Sequence, residues 1–263
     1  MPTKYIYPMR TLSVGSFSTK CSLMVATVAV CVAVVPAVAS AAKVKQIMIR
    51  GNVSQYQIPT PGMKTKGLAG ASVWVAERPS LRTTTNQTGA FTLKIPAGVK
   101  ATLVAQLAGY VRIYTPTRIP SSSYRWSYIL LPKLDLGRAI SALTGMALNA
   151  AKTAPKECLV SALVADKVIR TMTPAQVDAR GPYGVPGTTL RSSGPMTVKP
   201  LYFAGSGLPD ATLTSTSNSG IGFFIGLKAG TYKFSSVKAG FRFESFTATC
   251  QPGRFIMGVV GEL

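Results

Sequence analysis

The chain has 263 residues, with 29 Lys and Arg against 8 Asp and Glu, a formal net charge of +21, and no histidine. Without an imidazole the Ser-His-Asp and Cys-His mechanisms and histidine-based zinc hydrolysis are excluded; no metal site, cofactor or enzymatic activity is expected. The charge predicts an anionic partner surface.

At the N-terminus, Lys4, Arg10 and Lys20 precede an apolar run from Cys21 to Val38, followed by Ala39, Ser40 and Ala41. This is the layout of a secretory signal peptide over residues 1–41. The alternative is a retained membrane anchor, since the run nears the length of a short membrane span. Cleavage would leave a mature chain with no transmembrane helix, exported to the periplasm, the cell surface or the extracellular space. It would also remove Cys21 and Cys31, leaving Cys158 and Cys250, which in an oxidising compartment are expected to form one disulfide.

Residues 43–132 are predicted to form a first β-sandwich. Val44 to Val53 reads as an opening strand, and Ile58 to Lys66 as a Pro and Gly loop. Ala71 to Ala76 alternates, with Val73 and Val75 inward and Trp74 outward; Phe91, Leu93 and Ile95 alternate in the same way with Thr92 and Lys94. Ala101 to Leu107, Val111 to Thr115 and Tyr124 to Leu131 complete a set of about seven strands. In the last of these, Tyr124, Trp126 and Tyr128 form a stripe opposite Arg125 and Ser127, better read as core than as a binding surface.

Residues 133–156 form a helical linker in this reading. Leu136, Ala139, Ile140, Leu143, Ala147 and Ala150 fall at helical spacing behind Asp135 as N-cap. Packing of this helix on the sandwiches is favoured over an apolar stripe offered to a partner. Residues 157–263 are predicted to form a second sandwich, opening with Cys158 to Val164 and ending with Phe255 to Val260. Within it Phe223, Ile225 and Leu227, then Tyr232 and Phe234, then Phe241 and Phe243 mark apolar strand faces. The expected disulfide would join its first strand to a late one.

The two units share a pattern of turns. Thr85 to Phe91 (TNQTGAF) returns in outline as Thr216 to Phe223 (TSNSGIGF), and Gly89, Gly98 and Gly109 are matched by Gly220, Gly230 and Gly240. Short strands that reverse at glycine turns are what an antiparallel sandwich needs. These residues, with Gly70 to Val73, Pro96 to Gly98, Ala108 to Tyr110, Ala229 to Tyr232 and Ala239 to Phe241, resemble the carboxypeptidase regulatory-like domain in two copies. That resemblance implies an all-β chain of two tandem antiparallel Ig-like, transthyretin-like β-sandwiches joined by a short helical segment after the signal peptide. It further implies a non-catalytic protein, since such sandwiches often bind carbohydrate or act as spacers.

Other chemistry is sparse. Ser235 and Lys238 match S-x-x-K, but in an alternating strand they point to opposite faces, and the companion motifs are missing. Glu77 is the lone acidic residue of the first unit, which carries 12 basic residues; the second carries 10 basic and 6 acidic ones. The first unit is therefore expected to meet the anion. The candidate site is Trp74 as a sugar-stacking platform, with Arg78, Arg82 and Lys94 holding an acidic group. An anionic or neutral glycan of the envelope or matrix is the leading partner expectation, and a protein of a surface assembly, with this chain as accessory subunit or spacer, is the alternative. Export disfavours nucleic acid.

Overall fold

Alternating side chains give each strand one face for the core, and in the computed structural model they build the sheets in the order that follows. The structure describes residues 44–57, 66–170 and 183–263, with 172, 176, 179 and 180 between them. The expected signal peptide and most of the Ile58 to Lys66 loop lie outside the described residues. The first copy comprises β1 (Gln46–Gln55), β2 (Ser72–Val75), β3 (Arg78–Thr84), β4 (Ala90–Pro96), β5 (Leu103–Gln106), β6 (Ile113–Tyr114) and β7 (Tyr124–Leu131). Helix α1 (Leu134–Thr144) leads to the second copy: β8 (Cys158–Ala165), β9 (Thr189–Ser193), β10 (Leu201–Phe203), β11 (Pro209–Asp210), β12 (Ile221–Leu227), β13 (Gly230–Val237), β14 (Phe246–Cys250) and β15 (Phe255–Gly261).

Both copies are wired alike. In the first, β1 lies between antiparallel β4 and parallel β7; in the second, β8 lies between antiparallel β12 and parallel β15. The facing sheets are β3-β2-β5-β6 and β9-β13-β14. Ile256 of β15 then pairs in parallel with Tyr114 of β6. The first sheet of copy two thus continues the second sheet of copy one, in the order β11-β10-β12-β8-β15-β6-β5-β2-β3.

Side-chain alternation across this shared sheet sets which way each copy faces. Val73, Ala105 and Ile113 point to the side where they meet Ile47, Ile49, Leu93 and Ile95 of the sheet β4-β1-β7, and the same core takes in Leu159, Phe223 and Phe255 of copy two. Val160, Phe224 and Ile256 point to the other side and meet Leu190, Tyr232, Phe234 and Ala248. The two copies therefore pack their partner sheets on opposite sides of one common layer, and β8 and β12 are buried on both faces. That explains why their sequences read as apolar runs.

Helix α1 packs on the first core through Ile140, with Leu134 and Leu136 half-buried beside it, while Leu143 is exposed. Gly137 faces Val111, which occupies the space a side chain would need. The expected N-cap moves: Lys133 holds that position without a side-chain bond, and Asp135 lies in the first turn, paired with Arg138 at 3.0 Å. The helix ends at Gly145 in the left-handed conformation, so Ala147 and Ala150 fall beyond it. One further expectation shifts. Phe241 and Phe243 do not line a strand; Phe241 follows a turn closed by its own N–H to the Lys238 carbonyl and is exposed, because strand pairing stops at Val237. Tyr124 packs half-buried against the first core, and burial pushes its hydroxyl up to about 12 against the opposing influence of Arg118. The Trp126 side chain lies outside the described residues.

One clasp occurs in both copies. The buried Thr85 hydroxyl donates to the Leu68 carbonyl (2.6 Å) and accepts from the Ala71 N–H (2.9 Å). The buried Thr216 hydroxyl donates to the Val185 carbonyl (2.6 Å) and accepts from the Thr188 N–H (3.0 Å). Beside each threonine a glycine takes positive φ, 78° at Gly89 and 68° at Gly220. Their carbonyls accept from Val53 and Val164 respectively, both at 2.8 Å, and a Cβ on either glycine would collide with the carbonyl oxygen of that same valine.

Either Gly89→Ala or Gly220→Ala should therefore cost at least about 2 kcal/mol by denaturant unfolding, from left-handed strain plus collision. Thr85→Val or Thr216→Val should each cost about 1–3 kcal/mol, because two buried backbone groups lose their partner. Cys158 of β8 and Cys250 of β14 form the expected disulfide, which joins the two sheets of copy two across 92 residues. Reduction, or Cys158→Ala with Cys250→Ala, should lower stability by about 4–5 kcal/mol in the chain-entropy account, read as a shifted urea midpoint under non-reducing and reducing conditions.

Candidate functional site

Because the partner sheet of copy two stands on the far side of the shared sheet, the outer face of β3-β2-β5-β6 is left as a ledge beside it. The Thr117 N–H donates to the Thr247 carbonyl of β14 at 3.2 Å, fixing the inner corner of that ledge. Register aligns one row of side chains across it: Arg82 on β3, Trp74 on β2, Val104 on β5 and Tyr114 on β6. A second row holds Thr84, Ser72 and Gln106.

Two arginines are held over the aromatic members of the first row. The Arg112 guanidinium stands 5.8 Å from the centre of the Trp74 ring and donates through Nε to Gln106 Oε1 at 3.0 Å. The Arg254 guanidinium stands 5.0 Å from the Tyr114 ring and donates through Nη1 to the Thr249 carbonyl at 3.0 Å. Val104, buried at 1 % exposure, forms the floor between the two pairs. Trp74 and Tyr114 lie two strands apart, about 10 Å at the usual strand spacing of about 4.8 Å. Each guanidinium spends one face on a ring and one N–H on an acceptor, and its remaining donors stay free of those contacts.

The sequence-predicted residues divide on this map. Trp74 and Arg82 are cross-strand neighbours on the ledge. Trp74 does point away from Val73 and Val75, but it is half-buried with Arg112 over its ring, so it serves more as a support for a cation than as an open stacking surface. Arg78 sits exposed at the bulged end of β3, opposite Val75. Lys94 is not brought to this group: it projects from the outer face of β4, in the other sheet, because Leu93 and Ile95 on either side of it face the core. Arg112 and Arg254 were not singled out by sequence reasoning. Arg112 could have been found from its outward place between Val111 and Ile113 in the predicted strand Val111 to Thr115, whereas Arg254 belongs to the other copy and reaches the ledge only through the β6–β15 pairing.

Glu77, the lone carboxylate of copy one, accepts from the Thr102 N–H at 2.9 Å and the Thr102 hydroxyl at 2.6 Å, and that hydroxyl lies 2.7 Å from the Thr117 hydroxyl. It ties the β2–β3 turn to β5. Among the described residues there is no cluster of His, Cys, Asp or Glu able to hold a metal ion, and no helix long and apolar enough to cross a membrane. A cleft of about 270 Å³ lies between the end of α1 and β12, lined by Met146, Pro155, Glu157, Cys158 and Ile225 among others.

No family model matches the chain, and no curated protein does. Among solved structures it is similar to a type II cohesin-X-dockerin complex of Acetivibrio cellulolyticus, at 19 % identity and a TM-score of 0.27, over 32 % of this chain and 56 % of that one. It is also similar to the shaft pilin SpaA of Lactobacillus rhamnosus GG, at 11 % identity and a TM-score of 0.26, over 83 % of this chain and 97 % of that one. A third is the minor pilin GBS52 of Streptococcus agalactiae, at 12 % identity and a TM-score of 0.27, over 82 % and 95 % of the two chains. The chain thus spans little more than half of the first of these, and at these TM-scores the likeness carries no functional inference.

If Glu77 acts as a strut, Glu77→Ala should cost about 1–3 kcal/mol in unfolding free energy, from the loss of two charge-assisted hydrogen bonds. Thr102→Val should cost a similar amount, and the double variant should fall short of the sum, as a double-mutant cycle would record.

Proposed function

We propose that this chain is a non-catalytic, exported β-sandwich protein of the carboxypeptidase regulatory-like kind that binds an anionic polysaccharide of the cell envelope or matrix on the ledge of its first copy. The observation that carries this reading is the pair of arginines held over Trp74 and Tyr114, with Arg82 in the same row and no carboxylate among them. Ordered guanidiniums lose little entropy on binding and present forked donors that match carboxylate and sulfate groups. The row runs across four strands, which suits a long polymer better than a small molecule needing an enclosing pocket. Gln106, Ser72 and Thr84 add neutral hydrogen-bonding groups for hydroxyls in the second row. The charge excess of copy one over copy two supports the same assignment.

The test is binding of the full mature chain to dextran sulfate, polygalacturonate and unmodified dextran at low and moderate salt. Binding to the two acidic polymers, weakening as salt rises, is expected, with Arg112→Gln and Arg254→Gln each reducing affinity about tenfold or more. No binding to either acidic polymer at low salt would overturn the reading in favour of an accessory subunit with a protein partner, and unchanged affinity for the acidic polymers in both variants would place recognition elsewhere. A DNA duplex serves as the control for indiscriminate polyanion binding.

A further inference from the structure

The opposite side of copy one carries a second set of cations, and we infer that the protein bridges two strands of anionic polysaccharide, one on each face of this sandwich. The inference rests on the reading above. Arg50 of β1 and Arg125 of β7 are register partners, and Lys94 of β4 lies diagonal to Arg50, since Lys94 pairs with Met48 and Arg50 with Thr92. All three are exposed on the outer face of β4-β1-β7, whose inner residues Ile47, Ile49, Leu93 and Ile95 form the core. Like charges set side by side on a ladder repel and are destabilising. Among the described residues none of the three takes part in an ion pair, and Glu77, the acid of this copy, is engaged with Thr102 on the other sheet. The charge these residues lack is one that a polyanion supplies.

The two cationic faces stand back to back across the core. Packed sheets lie about 10 Å apart before their outer side chains are added, so a short oligosaccharide on the ledge cannot touch Lys94, Arg50 or Arg125. Each face is therefore a separate site for a short ligand, and a long polymer meets a protein with two opposed attachment points. Such a protein joins strands, and its effect on a polymer depends on the ratio of the two.

Calorimetry with a sulfated hexasaccharide and light scattering with long dextran sulfate test this on the full mature chain. The wild type should bind two equivalents of the hexasaccharide, and scattering should rise to a maximum with added polymer and fall again in excess. Replacing Arg50, Lys94 and Arg125 by Gln, or Arg82, Arg112 and Arg254 by Gln, should each leave one equivalent and abolish the scattering maximum. The single variant Lys94→Gln, at an exposed position, should weaken one of the two equivalents and so guards against misfolding of the triple variants. One equivalent in the wild type, removed by the ledge variant alone, would overturn bridging while leaving the ledge as the binding site. Two equivalents with no scattering maximum would also overturn it, by pointing to one polymer wrapped around the sandwich. No binding at all would overturn both this inference and the functional reading beneath it.

Discussion

The architecture depends on one arrangement made twice: a buried threonine hydroxyl that bridges two strands of backbone, next to a glycine pressed against the carbonyl of the opening strand. Thr85 and Gly89 do this in the first copy, Thr216 and Gly220 in the second. The glycine lets the chain turn so tightly that its carbonyl caps a valine N–H, and the threonine satisfies the groups that the turn leaves without ladder partners. Together they hold the start of the second sheet against the first. The sandwich cores, the disulfide and the surface chemistry all presuppose that closure.

The second constraint is the joint. Because β15 is the outer strand of its own sheet and β6 the outer strand of its neighbour's, their pairing removes two open edges at once. It also brings Leu159, Phe223 and Phe255 of copy two into the first core, where they would otherwise face water. β8 and β12 therefore have no solvent face on which to carry Lys or Arg; the copies still hold similar numbers of basic residues, 12 and 10, and their unequal charge lies mainly in 1 acidic residue against 6.

Charge alone would make these faces sticky without making them selective. What distinguishes the ledge is that Arg112 and Arg254 are already ordered, each by an aromatic ring and a hydrogen-bond acceptor, and that the two are contributed by different copies. A site assembled across the joint requires both sandwiches to be folded and docked. On the outer face of β4-β1-β7, Lys94, Arg50 and Arg125 take part in no ring contact or ion pair among the described residues, so their side chains are less ordered than the two ledge arginines.

Much was legible in the residues themselves. Alternation in β2 and β4 showed which side chains are buried, because a strand with one wet face must place every second residue in the core. The glycine pattern announced two copies, and the two cysteines remaining beyond the apolar leader had only each other as partner. Local signals failed where local chemistry was ambiguous: β3, with Pro79 and a run of polar residues, shows no alternation, and Asp135 looked like a cap while the chain entered the helix two residues earlier. What no stretch of sequence could decide is which strand edges meet. Alternation says that Lys94 is outward and Trp74 is outward, yet not that they are outward from different sheets, nor that Arg254 comes to rest over Tyr114. Those placements follow from pairings between strands far apart in sequence, Ile256 with Tyr114 above all, and only the folded backbone, where each edge takes the partner that satisfies its hydrogen bonds, settles them.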